Sequence, residues 1–271
     1  MMRTKNLQCK VIAIGAWGGY FDNWQALSEL LTGKALPETK SKGPKPSVIP
    51  ANERRRAPLP VRLAVESSWQ ATQAANIDPS SMSCVFVSGL GDTDLTDYMC
   101  KTLASDFKEL SPTKFHNSVH NAPAGYWTIS TNTMSAANSI AGYEHSVSLT
   151  LLEAMVQCES ENTPVLLTFY DAPVSKVLTP LLQNQEPFAF SLIIYPLSHS
   201  VKGIPISARV NDTNQALWPT LKSSNPYIQT LYNENPSARV LCLGELLACA
   251  LNDVDNKCQP SLALKNTELS M

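Results

Sequence analysis

The chain has 271 residues, of which 44% are hydrophobic and 16% charged, with 21 Lys and Arg against 23 Asp and Glu. The length exceeds one typical domain without requiring two, and the apolar share can bury a core, which excludes global disorder. A formal charge of −2 supplies no basic excess, which argues against a dedicated nucleic-acid binder.

Arg3, Lys5 and Lys10 precede an apolar run over residues 11–20, an arrangement that mimics a secretory leader. Gly15, Gly18 and Gly19 interrupt that run and no A-x-A site follows. A short buried strand at Val11-Ile12-Ala13-Ile14, ending at Gly15, is the better expectation. Leu7-Gln8-Cys9 has only a superficial likeness to a lipidation site, because its apolar run follows the Cys. Trp24, Leu27, Leu30 and Leu31 repeat at helical spacing, and Gly33 stands where a helix would stop. Residues 34–60 hold six of the 19 prolines and the run Arg54-Arg55-Arg56. With little to bury, this stretch is expected to be an extended surface loop. Its arginines are candidates for docking an acidic carrier protein, against the simpler reading of a solvated loop.

Leu63, Val65, Trp69, Thr72 and Ala75 predict a helix that ends before Asp78-Pro79. Cys84-Val85-Phe86-Val87 predicts a buried strand closed by the turn Ser88-Gly89-Leu90-Gly91. Asp94 is the expected cap of the next helix, with Tyr98, Leu103 and Phe107 on one side. A loop carrying Phe115, His116, Asn117 and His120 should follow Pro112. Residues 122–129 can be helical with Pro123 in the first turn. A short strand is expected over 139–142, a strong helix over 146–157 and a strand over 165–170. Residues 188–195 are almost continuously apolar, as in a central strand. A weaker strand over 204–210, helices over 211–221 and 240–251, and a polar, frayed tail after Asp253 complete the reading. No internal repeat is visible and no stretch is long enough to span a membrane as a helix. Strands separated by helices predict an α/β layer fold with a mostly parallel sheet. One domain is expected over 1–260, followed by a polar tail at 261–271.

The seven cysteines are scattered without a C-x-x-C pair, which argues against a zinc ribbon or a disulfide scaffold and for reduced thiols in a cytosolic protein. The Ser88–Asp92 turn carries half of a G-x-G-x-x-G fingerprint and no Walker lysine, so a tight turn is favoured over a nucleotide site. His116 and His120 stand four apart, but no Glu follows the first, and no metal is expected. His145 and His199 lie among serines without a G-x-S-x-G elbow. Glu144-His145 falls between a strand and a helix start. It is either a helix-capping acid or a reacting group at the same place.

Taken in order, these segments resemble the N-terminal half of a β-ketoacyl synthase. Val11-Ile-Ala-Ile-Gly15 and the helix ending Leu-Leu-Thr-Gly-Lys34 are similar to that family's opening strand and helix. Ile77-Asp-Pro79 and Val85-Phe-Val-Ser-Gly-Leu-Gly91 resemble its second helix end, strand and glycine turn. Leu110-Ser-Pro-Thr-Lys-Phe115 with Asn121-Ala-Pro-Ala-Gly125 resembles the stretch before its nucleophile. The resemblance covers residues 10 to about 172. It implies a thiolase-like half, a layered α/β/α arrangement with a mixed sheet.

The departures carry more information. In active synthases a Cys opens the long central helix, where amides and the helix dipole favour thiolate. Counting without gaps from Ala124-Gly125 places that position at Glu144, with register slips toward Gly142 or Ser146. No Cys lies between Cys100 and Cys158. Asp171-Ala172 stands near the family's glycine-rich turn without its glycines, and the two catalytic histidines of the C-terminal half have no counterpart. A nucleophile-free short synthase resembles the chain-length-factor-like subunits of bacterial aryl polyene systems. That resemblance implies a cytoplasmic, non-condensing subunit without cofactors, paired with a full-length ketosynthase and served by an acyl carrier protein. Phe115, Tyr126, Trp127 and Met134 are its tunnel or interface candidates. Residues 188–210 are expected to add strands that cover the missing half. The charged share, below the usual quarter, also suits a chain with partner-covered surface. The alternatives are weak decarboxylation of a malonyl carrier assisted by Glu144, and a stand-alone serine hydrolase.

Overall fold

In the computed structural model the first apolar run is a strand, β1 (Leu7–Gly18), which continues through Gly15 instead of ending there. After it come α1 (Trp24–Leu31), α2 (Ala51–Arg56), α3 (Leu59–Ala75), β2 (Ser83–Val87), α4 (Thr93–Ala104), α5 (Pro112–His116), α6 (Ala122–Thr131) and β3 (Ala137–Ile140). Then follow α7 (Ser146–Glu161), β4 (Val165–Asp171), β5 (Phe188–Pro196), β6 (Ile204–Arg209), α8 (Pro226–Glu234), α9 (Leu241–Asn252), β7 (Ser261–Leu264) and β8 (Thr267–Ser270). The structure describes residues 6–209, 219–252, 261–264 and 267–270, so most of the helix expected over 211–221 lies outside the described residues.

Among the described residues the strands form one sheet in the order β3-β2-β4-β5-β1-β6-β8-β7. Only the β2–β3 and β2–β4 pairs are parallel, and the other pairs are antiparallel. The sheet is therefore mixed, as the family resemblance implies, and not the mostly parallel one that the alternation of strands and helices predicts. The reason is the connection: no helix separates β4 from β5, and parallel pairing needs a crossover. The tail expected to fray places two short strands, β7 and β8, at the sheet edge. The helix α8 was not anticipated, although Asn225 caps it with its side chain and Pro226 opens it.

Alternation along the strands divides the core into two clusters, one on each face. Val165, Leu167 and Phe169 of β4, with Phe188, Phe190, Leu192 and Ile194 of β5, pack toward α1, α7, α8 and α9. Leu166, Tyr170, Ala189 and Ile193 pack toward α3 and α6. A register shift between Val11 and Ala13 lets β1 serve both faces in step with β5. Val11 and Ile14 join the first cluster, while Ala13 and Trp17 join the second.

The α3 helix lies very close to the sheet because the residues between them are small. Gly15 pairs with Ser191, and Ser191 pairs with Thr168. From α3, Ser67 Oγ lies 2.8 Å from Ser191 Oγ, and Ser68 Oγ lies 2.7 Å from Thr168 Oγ1. Thr168 and Ser191 are 2.9 Å apart. One donor ordering satisfies all four hydroxyls: Ser67 to Ser191 to Thr168 to Ser68, which donates to the Ala64 carbonyl at 2.7 Å. These groups are fully buried, so each needs its partner.

Three local expectations are corrected. Residues 34–60 are not simply extended. They include α2 and the start of α3, and Ile49 is 1% exposed within the core. Asp92, not Asp94, caps α4, its Oδ1 accepting from Leu95 N at 2.9 Å. Leu103 and Phe107 do not pack inward, and Phe107 is 86% exposed.

A β-carbon on Gly15 would meet the Ser67 carbonyl oxygen at 2.0 Å and Ala71 N at 2.8 Å, both rigid helix backbone. Gly15→Ala is expected to destabilise the chain by about 2 kcal/mol or more through overpacking. Equilibrium urea unfolding checks this, and a variant within about 0.5 kcal/mol of the parent would refute the close-packing argument.

Candidate functional site

The carboxyl ends of β2, β3 and β4 meet the amino ends of α4 and α7 at one end of the sheet, the usual place for ligands in open α/β sheets. At its centre is Asp171, the last residue of β4 and fully buried. Its carboxylate accepts from Ser88 Oγ at 2.6 Å, Leu90 N at 3.0 Å, Gly89 N at 3.3 Å and Ser237 N at 3.1 Å. Gly91 N donates to Ser88 Oγ at 2.8 Å, which leaves the Ser88 proton for Asp171. Burial pushes the Asp171 carboxyl above the ordinary carboxylate range, and the four donors oppose that rise. Every partner donates, so the acceptor-only ionised form is the one that this cradle fits. Asp171 thus ties the 88–91 turn to the 3-10 turn Ser237–Val240.

The α7 helix begins beside this cradle. Tyr143–His145 form a 3-10 turn, with Tyr143 held at a left-handed φ of 46°. That conformation costs an L-residue of order 1 kcal/mol. Ser146 is buried, and its Oγ accepts from Gly142 N at 3.2 Å. Glu144 is exposed and Gly142 half-buried. No thiol stands at this helix start. Burial pushes Cys84 and Cys242 up to about 12, so neither is poised as a thiolate. Cys158, hydrogen-bonded to Cys9 and buried, is also raised.

The two candidate histidines lie at opposite ends of α7 and cannot share one site. His145 precedes α7, whereas His199 Nε2 lies 3.2 Å from the Asn162 carbonyl just beyond its other end. A 16-residue helix separates the two by about 24 Å. Among the described residues no group of three or more His, Cys, Asp or Glu could hold a metal ion, His116 and His120 included.

Three cavities surround Asn117. One of about 200 Å³ runs between the glycine turn, α4 and residues 117–123, with Leu90, Leu95, Met99 and Tyr170 in its wall. A second of about 570 Å³ lies between α4, α5 and residues 172–176. A third of about 430 Å³ lies between α2, α5 and α6 and is mostly apolar. Tyr126 lines the third. Trp127 instead fills the core between α6 and the sheet and is 1% exposed. Phe115 and Met134 are exposed, Met134 at 96%. Of the three arginines, Arg54 turns inward and donates to the carbonyls of Pro46 at 3.0 Å and Ile49 at 3.5 Å. Arg55 bonds Asn52, Arg56 faces Glu53 at 4.0 Å, and both stay exposed. Asp171 and Asn117 are the site residues whose roles were not read from the sequence. The signal for Asp171 was its place at the end of an apolar strand.

The β-ketoacyl synthase N-terminal domain, as a family, matches residues 24–240. The chain belongs to that family. A chain from the complex of the ketosynthase ApeO with its chain length factor ApeC from Xenorhabdus doucetiae is similar in structure. It has a TM-score of 0.67 and 16% identity, covering 97% of this chain and 98% of that one. A chain of the ishigamide ketosynthase/chain length factor gives 0.66 at 12% identity, with coverage of 97% and 98%. A chain of the AntDE:AntF complex, a type II polyketide synthase carrier protein with its ketosynthase bound to the hexaketide, gives 0.67 at 13%, covering 99% of each. No curated protein matches the chain by sequence. The fold of this ketosynthase-family chain is thus the thiolase-like one, and no described helix is long and apolar enough to cross a membrane.

The donor cradle of Asp171 yields a direct expectation. Asp171→Asn would turn an amide N–H toward two N–H donors and should cost about 2 kcal/mol or more in urea unfolding. Wild-type stability in this variant would mean that the cradle holds no charge.

Proposed function

We propose that this chain is the non-condensing, chain-length-factor-like subunit of a ketosynthase heterodimer in aryl polyene assembly. The observation that carries the reading is the start of α7, where Gly142 to Ser146 offer no thiol beside an otherwise family-like turn. Without a nucleophile the chain forms no acyl-enzyme bond, and condensation falls to a partner's Cys. The near end-to-end coverage of chains from ketosynthase/chain length factor complexes supports the same reading. We place the complex in the cytoplasm, where reduced thiols persist.

A partner surface is available at β3. This strand is one edge of the sheet and leaves one side of its backbone without a strand partner among the described residues. Met134, three residues before it, is exposed. From α7, Glu153 Oε1 accepts from Asn138 Nδ2 of β3 at 3.0 Å, which sets the helix's outer stripe beside the edge. Leu149 and Val156, four before and three after Glu153, are the exposed apolar members of that stripe. An open edge flanked by apolar side chains is an association surface. The cavities along α4 supply wall for an acyl passage, with Leu90, Leu95 and Met99 as its apolar lining.

Coexpression with the full-length ketosynthase encoded nearest to this chain should give a one-to-one complex by size-exclusion chromatography with mass detection. Leu149→Lys with Val156→Lys should dissociate that complex and leave the circular dichroism of the chain unchanged. A chain that stays monomeric beside the synthase, or becomes acylated itself, would reject the subunit reading.

Carrier docking falls to Arg55 and Arg56, since Arg54 is committed to its own loop. Arg55→Glu with Arg56→Glu should weaken carrier affinity several-fold, and more so at low salt. Unchanged affinity would remove the basic helix from the docking surface.

A further inference from the structure

The cavity of about 430 Å³ between α2, α5 and α6 lies apart from the start of α7 and from the β3 backbone edge. Its wall is largely apolar, with Ile49, Pro50, Val119, Ala122 and Tyr126 as contributors. The volume falls in the range of small-molecule sites, and apolar cavities take apolar guests in preference to water.

Two features mark it as more than a packing gap. The first is Gly125, which lies inside α6 and lines the cavity. Beyond its chain neighbours and the backbone of its own helix, no atom lies within 4 Å of the place its β-carbon would take. A helix-interior glycine costs about 1 kcal/mol relative to alanine. Here nothing crowds the backbone, and what the missing side chain leaves is room in the cavity.

The second is Asn117, which is buried and lines this cavity as well as the two beside it. Its Nδ2 donates to the Thr113 carbonyl at 3.1 Å, which fixes the orientation of the amide. Its carbonyl oxygen is buried and accepts no hydrogen bond. Tyr126 stands beside it, its hydroxyl raised in pKa by burial and lowered by the Asn117 side chain, yet no hydrogen bond reaches the oxygen. A buried acceptor left unmade costs about 1–3 kcal/mol. Glu53, His116, Asn121 and Ser130 complete the polar part of the lining, and Glu53 faces Arg56 at 4.0 Å. The polar group left without a partner is therefore the Asn117 acceptor.

We infer that this cavity binds an uncharged amphiphile: an aliphatic or aromatic body against α6, carrying a hydroxyl or amide N–H that donates to Asn117. Carboxylates are disfavoured, because they bring a second acceptor to the Asn117 oxygen and no donor. The inference does not rest on the partner reading, since the cavity is formed by this chain alone.

The test is isothermal titration of the full chain with octanamide and, in parallel, octanoate. The expected result is saturable binding of octanamide, with octanoate at least ten-fold weaker. Gly125→Phe, which fills the cavity from an uncrowded position, should abolish binding while keeping the near-UV circular dichroism. Gly125→Leu serves the same purpose if the larger ring prevents folding. Asn117→Leu should remove the preference of amide over carboxylate. Absence of saturable binding, octanoate binding as tightly as octanamide, or binding that survives the filling variants would each overturn the inference. A variant that loses the amphiphile but still pairs with a ketosynthase separates this site from the subunit function.

Discussion

The buried carboxylate of Asp171 organises the end of the sheet that carries the candidate site. A single side chain receives the amides of Gly89 and Leu90, the hydroxyl of Ser88 and the amide of Ser237. Through these bonds the end of β4 fixes the glycine turn that launches α4, and also the turn that leads into α9. The walls of the cavity below α4 start from Leu90, Gly91 and Asp92, so their position follows from the same carboxylate. Gly89 has to be glycine for a related reason: a β-carbon there would lie 2.5 Å from Pro236 Cβ. Charge burial of this kind is costly unless every lone pair is met, and here donors converge from two segments, the 88–90 turn and Ser237.

Two glycines show how the fold uses missing side chains in opposite ways. At Gly15 the absent β-carbon is replaced by helix backbone, which brings α3 down onto a row of hydroxyls and small side chains. At Gly125 it is replaced by nothing, and the space stays open to a cavity. The first builds the scaffold and the second leaves a volume inside it. Both sit in segments with strong local signals, a strand and a helix. Sequence pattern alone gives them the same weight.

Much of the scaffold was legible because its signals are local. Trp24, Leu27, Leu30 and Leu31 gave a helix with Gly33 beyond it, and Gly33 takes the positive φ expected of a helix stop. The continuous apolar run of β5 gave a central strand, and it is buried on both faces. What was not legible depends on distant partners. Nothing local says that β1 should continue through Gly15, because the space comes from α3 across the sheet. The apolar stripe at Leu103 and Phe107 reads as core, yet nothing within the described chain covers it. Helix ends at Asn76, Asn132 and Asn162, each left-handed, were readable in principle and were missed. Of the candidate site residues, Glu144 and Tyr126 stand at a helix start and a cavity wall. Trp127 and Arg54 went to core and loop packing, because an aromatic or a basic run does not announce its direction.

In the proposed heterodimer the edge strand β3 connects fold to assembly. A sheet edge with free backbone groups invites pairing, and monomeric proteins blunt it with charge, proline or a bulge. Here β3 reads Ala137-Asn138-Ser139-Ile140, with none of those devices in the strand itself. Its neighbours add exposed Met134, Leu149 and Val156 instead of covering it. The other end of the sheet runs through β6, β8 and β7, so the two edges are built differently. The Ser139 hydroxyl, buried without a partner, belongs to the same edge. A chain that left this strand solvated would pay in aggregation, whereas a chain meant for a heterodimer gains backbone pairing and apolar burial together. The missing thiol at the start of α7 and the uncovered edge beside it therefore point the same way. The first removes a reason for this chain to act alone, and the second supplies the means for it to act with another.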